Sequence, residues 1–389
     1  MGRPERSAVV GKRGAAHARS GHPWIYRSDV AEAAGEPGDI VPVFDRAGSF
    51  LGRAFYNPGS EISLRIAERG DEPIDEHWFR DKIYHALAYR ASLEIDGDAY
   101  RILHAEADGV PGLVVDRYGD HLVLQVGSAA VERRLEWVVL ALGELLSPVG
   151  ILLRGDSASR KHEGLDTGVW ILAGEVPETV VVREGPVRYE ADLWRGQKTG
   201  GFLDQRENHL AAGMYSSGRV LDVFSYAGGF ALHAAYRAAE VEVVDSSGPA
   251  LEAARRNAQL NGLSNITFTR ARAFDLLHER SDAGEGYDMV VLDPPAFAKT
   301  RRDLSRARRA YKEINLRAMK MLIPGGVLLT CSCSYHLSRE LFEDTLRSAA
   351  ADAGRKIRVR EWRGQAADHP EVLTIPETRY LKCAVLESV

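Results

Sequence analysis

From Val187 onward, short apolar runs alternate with stretches of helical spacing, and this limits the fold more than any other feature of the chain. Val220-Leu221-Asp222-Val223, Val241-Glu242-Val243-Val244, Ile266-Thr267-Phe268-Thr269 and Met289-Val290-Val291-Leu292 are β-branched and apolar. Between them lie helical segments over residues 231–239 and 249–260, the second stopped by Gly262. Strands alternating with helices predict a mostly parallel sheet. Such sheets bind ligands outside the carboxyl ends of their strands.

The strand ends are therefore where chemistry is expected. The run Tyr287–Leu292 stops at Asp293-Pro294-Pro295-Ala296-Phe297, a rigid turn that holds an acid and an aromatic at the sheet edge. A second run, Val327 to Thr330, ends in Cys331-Ser332-Cys333-Ser334. If the two strands share one parallel sheet, an acid and a thiol face the same crevice. The run Arg219–Val223 opens into Phe224-Ser225-Tyr226-Ala227-Gly228-Gly229-Phe230, where the glycines let backbone approach a ligand and a helix dock closely. About twenty residues on, the next strand ends in Asp245, where an acid can bind ribose hydroxyls. The loop lacks the G-x-G-x-x-G pattern that cradles a pyrophosphate. A nucleoside cofactor without phosphates suits it, and S-adenosylmethionine is the obvious one.

Residues 1–70 carry short strand signals separated by Gly, Pro, Asp and Asn, which predicts a small β-barrel. Within them, Arg19-Ser20-Gly21-His22-Pro23-Trp24-Ile25-Tyr26-Arg27 mixes positive charge with aromatic faces, the materials of RNA contact. Arg19 and Arg27 are the better candidates, because Trp24 and Ile25 also suit anchoring a loop. Residues 71–184 read as a second α+β unit, with Tyr118-Gly119-Asp120 as a hairpin turn. His104, Glu106 and Asp108 alternate there along a strand edge without a partner set and read as ordinary surface residues, so no metal site is expected.

The net charge of −5 excludes a uniformly basic protein, but the charge is unevenly spread. Residues 1–27 hold six Lys/Arg against one acid, and residues 299–320 hold nine against two, which leaves about −17 on the remainder. Basic patches on an acidic body suit an enzyme that binds a polyanion. No run is long enough to span a membrane, the start has no apolar signal core, and three cysteines give no disulfide framework, so a cytoplasmic location is the default.

Taken together, the motifs resemble those of class I S-adenosylmethionine-dependent RNA methyltransferases. More narrowly, the chain resembles the large-subunit ribosomal RNA cytosine-5 methyltransferases of the RlmI type, almost end to end. The resemblance rests on His22-Pro23-Trp24, on Lys198-Thr199-Gly200 with Leu203-Asp204-Gln205-Arg206, and on Phe224-Ser225-Tyr226 with Gly228-Gly229-Phe230. It also rests on Asp293-Pro294-Pro295 with Phe297, Ser332-Cys333-Ser334, and Gln365-Ala366-Ala367-Asp368-His369-Pro370. It implies three parts: a PUA-like RNA-binding domain over 1–70, a central α/β domain over 71–184, and a Rossmann-like methyltransferase domain over 185–389. Cofactor contacts are implied from Gln205, Arg206, Asp222, Phe224, Ser225, Tyr226, Gly228, Asp245, Ser246, Asp293 and Pro294. RNA contacts are expected from Arg19, Trp24, Arg27, Phe297, Lys299, Arg301, Arg302 and Arg308. Asp303 is expected to cap the helix that carries the last of these. The implied partner is large-subunit ribosomal RNA, with no membrane; a homodimer is left open. The chain departs from the family after the strand ending at Arg270. Relatives usually carry an adenine-binding acid there, whereas this chain has Ala271 and Arg272, with Asp275 the nearest acid. Backbone groups at Ala273 or Phe274 are left for adenine.

The chemistry that the resemblance implies is methylation of cytosine carbon 5 through a thiolate adduct. It assigns Cys333 as the nucleophile and Asp293 as the acid at ring nitrogen 3, and it leaves Cys331 and Cys383 to core packing. Pro295 stands where some relatives carry a further cysteine, so one thiolate acts alone. Two alternatives remain. One is methylation of an exocyclic amine, which uses a related acid-Pro-Pro-aromatic turn, though here Ala296 intervenes before Phe297. The other is a non-catalytic RNA-binding protein on a methyltransferase scaffold.

Overall fold

The computed structural model describes residues 5–298 and 300–389. Lys299, one of the expected RNA contacts, lies outside the described residues. The chain forms two compact units, one of residues 1–182, 191–203 and 367–378, the other of residues 183–190, 204–366 and 379–389.

The first unit contains two sheets. Ala8–Val10, Trp24–Ile25, Val30–Ala33, Ile40–Asp45, Phe50–Tyr56 and Leu64–Glu68 make a six-stranded sheet. Along Ile40–Asp45 every second residue is buried, as the two-residue repeat of a half-buried strand requires. The helix Lys12–Arg19, which the strand-rich pattern hides, packs Gly14, Ala15 and Ala18 onto this sheet. The second sheet orders Val169–Gly174, Gly150–Arg154, His121–Val126, Leu113–Tyr118 and Ala99–His104 side by side. The expected hairpin at Tyr118–His121 is present. Glu76–Ala91 covers this sheet, its first turn capped by Asp75 Oδ1 accepting Trp78 N–H at 3.0 Å.

In this unit His104, Glu106 and Asp108 are not the plain surface residues their spacing suggests. Arg90 grips Asp108 with two bonds of 2.6 and 2.8 Å, Arg101 grips Asp116 at 2.7 and 2.9 Å, and Glu106 accepts Trp24 Nε1–H at 2.9 Å. Burial, with the charge of Arg101 next, pushes His104 well below its usual value. Arg90 and Trp24 come from other elements, so the strand's own pattern does not reveal the pairing.

Val187–Asp192 also differs from expectation. It pairs with Thr179–Glu184 in a separate two-stranded sheet, across a turn at Gly185-Pro186 where Gly185 is left-handed (φ 54). The parallel sheet of the second unit begins one strand later. Its strands are β1 (Arg219–Val223), β2 (Glu240–Asp245), β3 (Ile266–Arg270), β4 (Tyr287–Leu292), β5 (Leu322–Ser332), β6 (Ile357–Arg363) and β7 (Lys382–Ser388). They lie in the order β3-β2-β1-β4-β5-β7-β6, with β7 antiparallel to both its neighbours. Helices α1 (Arg206–Tyr215), α2 (Gly229–Ala235), α3 (Gly248–Leu260), α4 (Ala273–Asp282), α5 (Leu304–Met321) and α6 (Arg339–Ala353) belong to the same unit. Val290, Leu292 and Leu328 join one apolar cluster while Met289, Val291 and Leu329 join another. The two faces of the sheet thus bury alternate residues of the same strands, which explains their unbroken apolar runs.

Candidate active site

The strand order reverses between β1 and β4, the topological switch point where open α/β sheets bind ligands. The registers Val223 with Val244, Val223 with Leu292 and Leu292 with Thr330 bring the ends of β2, β1, β4 and β5 to one level. The sequence between Phe224 and Gly229, Asp245, Asp293 and Cys333 therefore leaves the sheet at a single edge.

The loop after β1 is strained and tightly held. Phe224 (φ 67) and Tyr226 (φ 51) adopt the left-handed conformation despite their bulk. Such geometry persists only where the surroundings over-determine it. Here Ser225 Oγ donates to the Asp222 carbonyl at 2.5 Å and accepts Val244 N–H at 3.2 Å, while Phe224 and Ser225 N–H both reach the Val244 carbonyl at 3.1 Å. Asp245 takes Tyr226 N–H on Oδ2 at 3.0 Å and Ser247 N–H on Oδ1 at 2.8 Å. Gly229 is required because a Cβ there would fall 2.6 Å from the His209 ring. Asp222 is buried at the base of the loop. Its Oδ2 accepts Ala231 N–H at 3.1 Å, and its Oδ1 has no hydrogen-bond partner among the described residues. Burial, with the nearby charge of Asp293 adding to it, pushes the Asp222 carboxyl up to about 7. An unpartnered buried acceptor at the base of this loop fits a ligand with N–H and O–H donors, which S-adenosylmethionine provides.

Of the other expected cofactor residues, Gln205 and Arg206 are buried at the start of α1, where Gln205 Oε1 accepts Asn208 Nδ2–H at 2.6 Å and Arg206 meets Glu207 at 2.8 Å. Ser246 is exposed and Pro294 buried. Asp275 is largely exposed and pairs with Arg272 at 3.6 Å, while Phe274 packs its ring 6.0 Å from that of Phe297.

All three cysteines are free, and their surroundings differ. Cys331 and Cys383 face each other across β5 and β7 in the core, where burial holds the Cys331 thiol well above its usual value. Cys333 lies just past the end of β5 and is half-exposed. Its flanking serines, part of the Ser-Cys-Ser motif but given no role by the sequence, hold the loop. Ser332 Oγ accepts Ser334 N–H at 3.3 Å. Ser334 Oγ accepts Ala298 N–H at 3.1 Å, bonding the cysteine loop to the acidic turn, and lies 3.0 Å from the Tyr311 hydroxyl of α5. Lys382 of β7 donates to the Ser334 carbonyl at 2.7 Å and the Tyr380 carbonyl at 2.8 Å. A lone lysine inside an apolar strand is the one signal in the sequence that points to it.

A second buried cluster lies behind the Gly loop. Glu184 Oε1 meets His209 Nδ1 at 2.7 Å, and His233 Nε2 lies 3.6 Å from the same oxygen. Burial opposes charge on His209, but the Glu184 carboxylate outweighs it and raises its pKa. The sequence spreads these three residues over three elements, so no local motif marks them.

The expected RNA residues divide by environment. Arg19 pairs with Asp45, and Trp24 is tied to Glu106 as an anchored residue would be. Arg27 is exposed and lines a cleft of about 490 Å³ with Arg13, His17 and Glu61. Phe297 is half-buried, its ring 4.7 Å from that of Tyr311. Arg301 and Arg302 are exposed and make no ion pair among the described residues, whereas Arg308 is held by Asp344 of α6 at 2.5 Å. Asp303 does not cap α5 as expected. Its carboxylate accepts Thr300 N–H at 3.0 Å and Thr300 Oγ1–H at 2.8 Å, closing a capping box around a short 3₁₀ turn that leads into the helix.

Comparison with known proteins agrees with this geometry. Residues 9–69 match the family model of PUA-like domains, and residues 153–356 match that of S-adenosylmethionine-dependent methyltransferases. A ribosomal RNA large subunit methyltransferase I from Vibrio cholerae is 41% identical over 382 residues, covering 95% of this chain and 96% of that one. The protein of the same name from Aeromonas salmonicida is 42% identical over 377 residues, covering 94% and 95%. A solved structure described as a SAM-dependent methyltransferase, from Streptococcus mutans, has the same fold: the TM-score is 0.83 at 19% identity, covering 98% of this chain and 100% of that one. The strand order, the loop after β1 and these matches lead to one conclusion: the chain belongs to the S-adenosylmethionine-dependent methyltransferase family, within the group of ribosomal RNA large subunit methyltransferase I.

Proposed function

We propose that the protein methylates carbon 5 of a cytosine in 23S ribosomal RNA, with Cys333 as nucleophile and Asp293 as the acid at ring nitrogen 3. The observation that carries this reading is the meeting of a half-exposed thiol and an acid at one sheet edge, their two loops bonded through Ser334 Oγ and Ala298 N–H. The substrate class follows from the names of the relatives and from the PUA-like domain. S-adenosylmethionine, when bound, supplies the electrophilic methyl group. Cys333 Sγ adds to carbon 6, and the displaced ring electrons make carbon 5 nucleophilic. Asp293 stabilises the charge that develops through nitrogen 3. Once carbon 5 carries the methyl, loss of its proton returns an electron pair to the ring, and Cys333 leaves as thiolate. Gln205, Arg206, Asp222, the loop from Phe224 to Gly228, Asp245, Ser246 and Pro294 are proposed to hold the cofactor. Arg27, Arg301 and Arg302, with Phe297, are proposed for RNA.

Bisulfite sequencing of ribosomal RNA from cells with and without the gene tests the target: one 5-methylcytosine should disappear. Loss of an amino-methylated base instead would overturn the reading. Cys333→Ala should lower turnover by at least about a thousandfold while leaving S-adenosylhomocysteine affinity within a few-fold, because the thiol takes part in the transition state and not in cofactor binding.

A further inference from the structure

We infer that Lys382 is a positioning residue that holds the Cys333 loop and stabilises the Cys333 thiolate. The inference rests on the thiolate reading of the site.

Lys382 stands opposite Ser332 in the β5–β7 ladder, and its ammonium bonds the carbonyl of Ser334. Cys333 is the residue between these two contacts. A lysine placed this way spans the cysteine's own loop. The ammonium has three N–H bonds, and the carbonyls of Ser334 and Tyr380 take two of them. The third is left for an acceptor that a deprotonated Cys333 would supply.

Among the described residues no carboxylate bonds this cation, although lysine is rarely buried without one. Neutral carbonyls satisfy its hydrogen bonds but not its charge, so a buried ammonium here calls for an anion. Burial lowers Lys382 to about 8, while the Cys333 charge opposes that shift. It therefore remains mostly protonated at neutral pH. The other titratable groups around the loop are three acids, Tyr311 of α5, Asp293 after β4 and the buried thiol of Cys331, and one base, His336 of the loop itself, whose ring packs against Tyr335. The three acids do not favour a thiolate. A cation within reach is the usual way a protein lowers the cost of forming one.

The test reads the thiol itself. Iodoacetamide alkylation of Cys333 is followed against pH in the full-length protein, with the site resolved by fragment-ion mass spectrometry. In the wild type the alkylation midpoint should lie about one unit or more below that of an ordinary cysteine. Lys382→Gln keeps N–H donors for the two carbonyls and removes the charge. It should move the midpoint up by about one unit and slow alkylation at pH 7 roughly tenfold. Lys382→Arg should restore most of the wild-type profile. A wild-type midpoint in the ordinary thiol range would overturn the inference without any variant. So would a Lys382→Gln profile that superimposes on the wild type. Either result leaves the cytosine reading standing, since that reading falls on other observations: Cys333→Ala that still methylates RNA, or a lost mark that sits on an amine.

Discussion

Asp222 shows how far a residue's identity is from its ionisation. The sequence places an acid at the end of an apolar run, where it reads as one more ligand-facing carboxylate. The structure buries it beside Asp293 and pushes it up to about 7. Its folded pKa is raised above the unfolded value, so the folded state binds an extra proton between about pH 4 and 7. Its contribution to stability is therefore complete at low pH and is lost as pH rises through that window. Asp222→Asn lacks this titration. In urea unfolding without cofactor, the variant should gain on the wild type between pH 4.5 and 8 by on the order of 2–4 kcal/mol. A difference independent of pH would show that Asp222 is ionised in both states. Cys331 and Cys333 make the same point from two residues apart: their neighbours in sequence are nearly alike, yet one is core and the other meets solvent.

Elements are more legible than residues. Apolar runs, the Asp-Pro-Pro stop and the Gly pair locate β1, β2, β4 and β5, because strand propensity and turn chemistry are local. The extent of α2 is not local. The helical pattern continues to Ala239, but the helix ends at Ala235 and the chain enters β2 at Glu240. Around the start of α5 the sequence shows a block of arginines without saying which are paired. The structure separates the exposed Arg301 and Arg302 from Arg308, which Asp344 holds. Replacing Arg301 and Arg302 with Gln should weaken RNA binding and reduce the slope of log affinity against log salt by about 0.7 for each phosphate that is no longer neutralised. Arg308→Gln should leave the slope unchanged. A slope that falls equally in both would assign RNA binding to the whole helix face.

At the scale of the molecule, the two units are built differently. The methyltransferase unit buries both faces of a parallel sheet in apolar clusters. The first unit buries arginine–carboxylate pairs, Arg101 with Asp116, Arg90 with Asp108, and Arg65 with Glu163, where the second buries the Glu184–His209 pair. Removing one partner of a buried pair strands the other's charge. Asp116→Ala should therefore lower stability by about 3–5 kcal/mol, seen in denaturant unfolding, with S-adenosylhomocysteine affinity unchanged. Pairing Asp116→Ala with Arg101→Met should recover part of that loss. A loss below about 1 kcal/mol in the single variant would show that water replaces the carboxylate.

The sequence by itself determined the class of fold, the strands whose ends the sheet brings to one edge and the family, since periodicity, turn residues and motifs are written in neighbouring positions. The structure decided what depends on residues distant in the chain. That includes the serine that bonds the thiol loop to the acidic turn, the lysine behind Cys333, the burial that raises the Asp222 carboxyl and the separation of exposed from paired arginines around α5. Each of these is set by burial and by partners on other strands and helices, and only the folded chain brings those together.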